Sequence, residues 1–202
     1  YGGCVAFEPD AFLPGNKYYA LYSSRDRSGE ISVNRIGGES YEYFYMDWYQ
    51  APRELSRALW TEPYFDSGAG NAVMSTYSAP FYHVKDGKKV VRGIVTVDMS
   101  LEWLENIMAS IKIFDNGYGF LISQFGNIIT HPNKQWIMNE SVFSIAEENK
   151  DKAFREVGRR MIKGESGFCP ISSAMLNLDC WLYYVPLKSS NWSIAVLIPS
   201  SE

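Results

Sequence analysis

Two runs rich in β-branched and aromatic residues, 72–81 and 90–98, lie on either side of Asp86-Gly87. That dipeptide supplies the left-handed backbone positions of a tight hairpin, so the runs are expected to pair as antiparallel strands. The period then changes. Leu101, Leu104, Ile107, Met108 and Ile111 recur at three- and four-residue steps, which predicts a helix over 100–113 with Ser100 as its N-cap. Before this block, residues 1–8 and 17–23 read as strands separated by the Pro14-Gly15 turn. Residues 24–40 read as a polar loop or hairpin around 31–33, and 41–49 (YEYFYMDWY) as an aromatic run. A helix is expected next, with Pro52 in its first turn and Leu55, Ala58 and Leu59 on one face.

The second half repeats this order loosely. Residues 117–123 and 127–131 predict a hairpin around Phe125-Gly126, ended by Pro132. Ser144 and Glu147 have capping-box spacing for a short helix. Phe154, Val157, Met161 and Ile162 give the inner face of a helix over 151–163, with Gly164 as its stop. Residues 167–171, 181–186 and 192–199 close the chain as strands. The class is therefore α+β: two modules with antiparallel sheets, 1–99 and 116–202, joined by a helical segment 100–115.

A chain of 202 residues with 46% hydrophobic and 21% charged residues is expected to pack a sizeable core. The net charge of −4 argues against a nucleic-acid partner, which calls for a basic face. No apolar run approaches the ~20 residues that span a bilayer. The chain begins and ends inside apolar, strand-like runs, and is expected to be a piece of something longer. Of the three cysteines, Cys169 and Cys180 flank a loop between strands. A hairpin disulfide between them and a pair of free core thiols both remain open. The sequence carries no HExxH, no paired Cys/His set, no nucleophile elbow and no phosphate loop, so neither a cofactor nor a metal is expected. His131 lacks any visible nucleophile or carboxylate partner, and a structural role is favoured for it.

Aromatic residues make up 15% of the chain, including 14 tyrosines and 6 tryptophans. They serve a β-rich core or a ligand pocket equally well. Asp98 closes a strand just before a helix, where a carboxylate either caps the helix or anchors a ligand.

Four segments in order carry a family resemblance: Asp47-Trp48-Tyr49; residues 60–66 (WTEPYFD); residues 93–101 (GIVTVDMSL); and residues 117–123 (GYGFLIS) followed by Gly126 and His131-Pro132. With these the chain resembles the double Cache domain, the tandem PAS-like or PDC sensor module of bacterial and archaeal transmembrane receptors. The resemblance implies a non-catalytic, periplasmic or extracellular domain between two transmembrane helices, working as a homodimer. It also implies a long helix before the first strand, which is missing here. A histidine kinase is the output expected first, with a chemoreceptor or a sensor-linked phosphatase beside it. The membrane-distal module, here the first, would hold a small-molecule ligand. The alternative is a structural dimerisation module with no ligand.

Amino-acid-binding members of that family share a tyrosine, an arginine five positions on, an aromatic pair, a Tyr-x-Asp and a final aspartate. Tyr41, Trp48, Tyr49, Tyr64, Asp66 and Asp98 match, while Met46 stands at the arginine position. A guanidinium there would clamp a ligand carboxylate through two hydrogen bonds; a thioether cannot. The aspartates and aromatic rings still suit an ammonium group. The resemblance, with this departure at Met46, therefore implies as ligand a cationic amine or another small polar molecule without an α-carboxylate held in the usual way.

Overall fold

The computed structural model describes residues 1–26 and 28–202. The chain forms two compact units, Tyr1–Ser100 and Leu101–Glu202.

In the first unit, β1 (Gly2–Phe7), β2 (Ala20–Arg25) and β3 (Ile31–Ile36) precede a single 3-10 turn, Tyr43–Tyr45, and helix α1 (Asp47–Leu55). The strands β4 (Leu59–Trp60), β5 (Tyr64–Asp66), β6 (Ala72–Lys85) and β7 (Lys88–Ser100) follow. Among the described residues they make a seven-stranded antiparallel sheet in the order β3-β2-β1-β7-β6-β4, with β5 also paired to β6. The β6–β7 hairpin turns at Asp86 and Gly87, with φ of 51° and 74°, as the Asp-Gly signal requires. Gly93 lets β1 and β7 close up, since a Cβ there would stand 2.1 Å from the Ala6 carbonyl oxygen.

Local detail departs from the sequence reading in three places. Residues 31–36 form an edge strand; their polar composition suits a strand exposed along most of its length. Helix α1 begins earlier than expected, because Trp48, Tyr49 and Pro52 face the core. Pro52 consequently lies inside the helix rather than in its first turn. Leu55 is exposed, Ser56 turns into the left-handed region at φ 50°, and Leu59 pairs with Ser78 in the sheet, so the three supposed face residues do not share a helix.

The second unit opens with α2 (Leu101–Ser110) and continues through β8 (Tyr118–Ile122), β9 (Ile128–Thr130) and a 3-10 turn, Lys134–Trp136. Helices α3 (Val142–Glu148) and α4 (Lys152–Ile162) and strands β10 (Gly167–Ser173), β11 (Leu178–Leu187) and β12 (Trp192–Pro199) complete it. Its five-stranded sheet has the order β10-β11-β12-β8-β9. Phe120, Ile122, Val142, Met161, Leu182 and Leu197 pack between sheet and helices. Ser100 ends β7 instead of standing outside the strand as a cap, and Ile107 and Ile111 of the expected inner face are exposed. The capping box of α3 is Ser141 with Ser144, one turn earlier than Ser144 with Glu147. Asp151 caps α4 by accepting from the Phe154 amide at 2.9 Å, and Gly164 stops the helix at φ 75°.

The Cys169–Cys180 disulfide is not formed; Cys4, Cys169 and Cys180 are free thiols. Cys169 stands opposite Leu182 and Cys180 opposite Ile171, so the two cysteines are diagonal neighbours. Diagonal Cα atoms lie about 7–8 Å apart, beyond the roughly 4.4–6.8 Å that a disulfide spans. Thiol titration of the chain, denatured without reductant, should find all three cysteines free. A deficit of two thiols that reductant restores would contradict this.

Candidate ligand-binding site

Strand alternation builds one wall of a cavity in the first unit. Thr96 and Asp98 of β7 are buried, whereas Val95 and Val97 between and beside them face outward. Cys4 of β1 and Tyr22 of β2 are register partners and join the same face. The opposite wall comes from outside the central strands: Tyr41 before the 3-10 turn, Trp48 of α1, Tyr64 and Asp66 of β5, and Ala69 of the turn that follows. The empty space among them is about 220 Å³, mouth included.

Two carboxylates face this space, Asp66 and Asp98, each only 5% exposed. Asp66 accepts from the Tyr41 hydroxyl at 2.9 Å and from the Gly70 amide. Asp98 accepts from Thr76 Oγ1 at 2.9 Å, and Tyr64 Oη lies 2.8 Å from the same Oγ1. Threonine has one hydroxyl proton, already given to Asp98, so Tyr64 is the donor in the second bond. The direction Tyr64 to Thr76 to Asp98 is thereby set. Asp98 thus bonds within the sheet rather than to helix amides. No lysine, arginine or histidine lines the cavity.

Burial pushes the Asp98 pKa above the usual carboxylate range, with the Thr76 hydrogen bond working against the shift. Burial and the two aspartates push the Tyr22 and Tyr64 hydroxyls up as well, so both remain neutral donors. The Cys4 thiol rises for the same reasons and is an inert wall rather than a nucleophile. The Tyr22 hydroxyl stands beside Asp98, near enough to favour the ionised carboxylate, though it misses good hydrogen-bonding geometry. It is a buried donor beside an ionisable group.

The turn over the cavity depends on glycine. Gly68 has φ 121°, and a Cβ there would meet the Tyr41 ring at 2.7 Å. A Cβ on Gly70 would meet Met74 Cε at 2.3 Å and the Tyr22 hydroxyl at 3.0 Å. Of the residues singled out in the sequence, the fold brings Tyr41, Trp48, Tyr64, Asp66 and Asp98 together. Tyr49 lies in the aromatic core and donates to Glu8 at 2.7 Å, and Met46 is half-buried beside that core, outside the cavity lining. Tyr22, Thr76 and Thr96 were not singled out. Thr96 shares the strand parity of Asp98, a signal present in the sequence; Tyr22 and Thr76 depend on strand register.

The first unit is an antiparallel-sheet module that holds a cavity lined by aromatic rings, hydroxyls and two carboxylates. Residues 1–106 match the family model of the first PDC sensor domain of methyl-accepting chemotaxis protein-like receptors, and the chain belongs to that family. The extracellular domain of mmHK1S-Z3, assigned as a histidine kinase, superposes with a TM-score of 0.80 at 27% identity, covering 99% of this chain and 73% of that one. The chemotaxis receptor McpC of Bacillus subtilis is 27% identical over 138 residues, 64% of this chain and 20% of McpC. The calcium-channel subunit alpha-2/delta-2 of Rattus norvegicus is 25% identical over 171 residues, 74% of this chain and 14% of that subunit. The ligand-binding domain of Pseudomonas aeruginosa PctB, in complex with L-Gln, shares the fold with a TM-score of 0.60 at 19% identity, covering 98% of this chain and 68% of that one. The chain thus spans a fifth or less of these two curated relatives. Among the described residues no helix is long and apolar enough to cross a membrane.

Thr76→Val should destabilise the domain by roughly 1–3 kcal/mol, because it strips Asp98 and Tyr64 of their shared partner. The sign with pH follows from the raised pKa of Asp98. The folded state holds this proton more tightly than the unfolded one, so ionising Asp98 costs stability as pH rises through the folded value. The Thr76→Val loss should therefore be larger at neutral than at acid pH in urea melts. Equal losses at both would contradict the assignment.

Proposed function

We propose that the domain is the extracytoplasmic sensor of a membrane receptor and binds a small cationic amine in the first unit. The observation that carries this reading is the pair of buried aspartates in a cavity whose lining holds no cation. An ionised carboxylate out of water needs a positive partner. A ligand ammonium would sit between Asp98 and Asp66, with the faces of Trp48, Tyr41 and Tyr64 adding cation–π attraction. The Tyr22 hydroxyl, beside Asp98, is placed to bond the same ligand. No guanidinium stands ready for a ligand carboxylate, which separates this cavity from an amino-acid site with an arginine clamp.

The amino-acid-bound domain of PctB supports small-molecule sensing by this fold, though not this ligand. Likeness to the extracellular domain of mmHK1S-Z3 supports a histidine kinase as the output of the whole receptor, and likeness to McpC favours a chemoreceptor as the second reading. In either, the domain would act as a homodimer flanked by transmembrane helices. Ligand entry would bias the turn at 67–70 toward its closed position, and that shift would be the signal.

Calorimetry with matched pairs tests the ligand class: ethanolamine against L-serine, and isobutylamine against L-valine. The amine of each pair should bind about tenfold tighter or better, since the amino acid must bury an unpaired carboxylate. Asp98→Asn should cost the amine about 2 kcal/mol or more. Affinity should fall as pH drops through the raised pKa of Asp98, with a proton released on binding. Tighter binding of the amino acid, or full affinity in Asp98→Asn, would overturn the reading.

A further inference from the structure

The second unit holds a cavity of its own, lined by other residues than the aspartate site. Its walls are the rings of Tyr118, Phe120, Trp136 and Phe154 and the side chains of Ile145 and Ile171. His131, 7% exposed, stands among the rings: its centroid is 4.5 Å from that of Trp136, 5.2 Å from Tyr118 and 5.7 Å from Phe120. The Asn133 amide donates to His131 Nδ1 at 2.9 Å, which leaves the imidazole proton on Nε2. Burial pushes the His131 pKa down to about 4, so the ring is neutral under ordinary conditions.

Ser172 of the lining is exposed, and the other polar side chains beside His131 have partners of their own. Asn149 Nδ2 donates to the Ile145 carbonyl at 2.8 Å. Asp151 Oδ1 accepts the Phe154 amide. Ser173 Oγ takes the Leu176 amide at 3.2 Å and lies 3.3 Å from the Tyr118 hydroxyl. What the cavity offers is an aromatic and aliphatic wall with one directed donor, His131 Nε2–H. Asp151 is the only charged residue in the lining, and no cation accompanies it. An anion would find repulsion there, and a cation only a carboxylate already committed to a helix cap.

We propose that this cavity is a second ligand site, selective for a small, flat, uncharged molecule with one hydrogen-bond acceptor, which His131 Nε2–H binds. The domain would then read two chemically different compounds, an amine in the first unit and a neutral apolar compound in the second. The second site stands independently of the first.

Nitrogen-15 correlation spectra of the chain, titrated separately with acetophenone, benzoate and benzylamine, test it. These probes share a phenyl ring and differ in charge. Acetophenone should shift the His131 Nε2 resonance and the amides of Ile128, Ile145 and Ile171. Benzoate and benzylamine should need about tenfold more to shift the same amides. His131→Phe, which keeps a ring and removes the donor, should weaken acetophenone about three- to tenfold, whereas His131→Gln, which returns an N–H near Nε2, should recover most of the loss. The map on the unaltered chain decides the matter should either variant fail to fold. Shifts confined to residues 1–100, no shifts, equal response to all three probes, or undiminished binding in a folded His131→Phe chain would each overturn the proposal.

Discussion

The first unit is organised around a cost: two carboxylates held out of water in a cavity that no lysine, arginine or histidine lines. Asp98 is placed by the β6–β7 hairpin, which sets Thr76 directly opposite and supplies a hydroxyl that bonds it. Asp66 is placed by β5 and steadied by Tyr41 and the Gly70 amide. Each hydrogen bond offsets part of the desolvation of its carboxylate, and none brings a positive charge. The raised pKa of Asp98 is the residue of that imbalance. The proposed ammonium ligand would relieve that imbalance.

Sheet and covering elements contribute differently. Asp98, Thr96, Cys4 and Tyr22 stand on paired central strands, a rigid floor. Ala69 and the Asp66–Gly70 contact belong to a tight turn whose glycines admit the Tyr41 and Tyr22 rings at close range. A ligand held between this floor and this turn would signal only by contacting two states of the domain differently, because only a differential contact shifts their populations. The second unit packs a separate core around its own sheet, and its cavity shows the opposite chemistry, a neutral donor in an aromatic wall.

Much of this was legible in the sequence where local chemistry dictates structure. Asp86-Gly87 marked the longest hairpin, Asp151 and Gly164 bounded α4, and residues 192–199 read directly as β12. Five of the seven residues drawn from the family pattern line one cavity. What escaped depends on register and on tertiary choice. The partnership of Asp98 with Thr76 rests on a strand pairing that no local signal prints, and so does the diagonal offset that keeps Cys169 from Cys180. Pro52 signalled a helix start, yet burial of Trp48 and Tyr49 began the helix a turn earlier. Tyr49 matched the pattern but turns to Glu8, because the aromatic core lies on that side of α1.

The most direct measurement is a carbon-13 titration of the Asp98 carboxyl group, with the protein free and then saturated with an amine such as isobutylamine. The free protein should show a pKa above the usual carboxylate range, and the amine should draw it down sharply, because the buried charge has gained its partner. An Asp98 pKa that starts in the ordinary range, or that stays unchanged with the amine bound, would contradict the account.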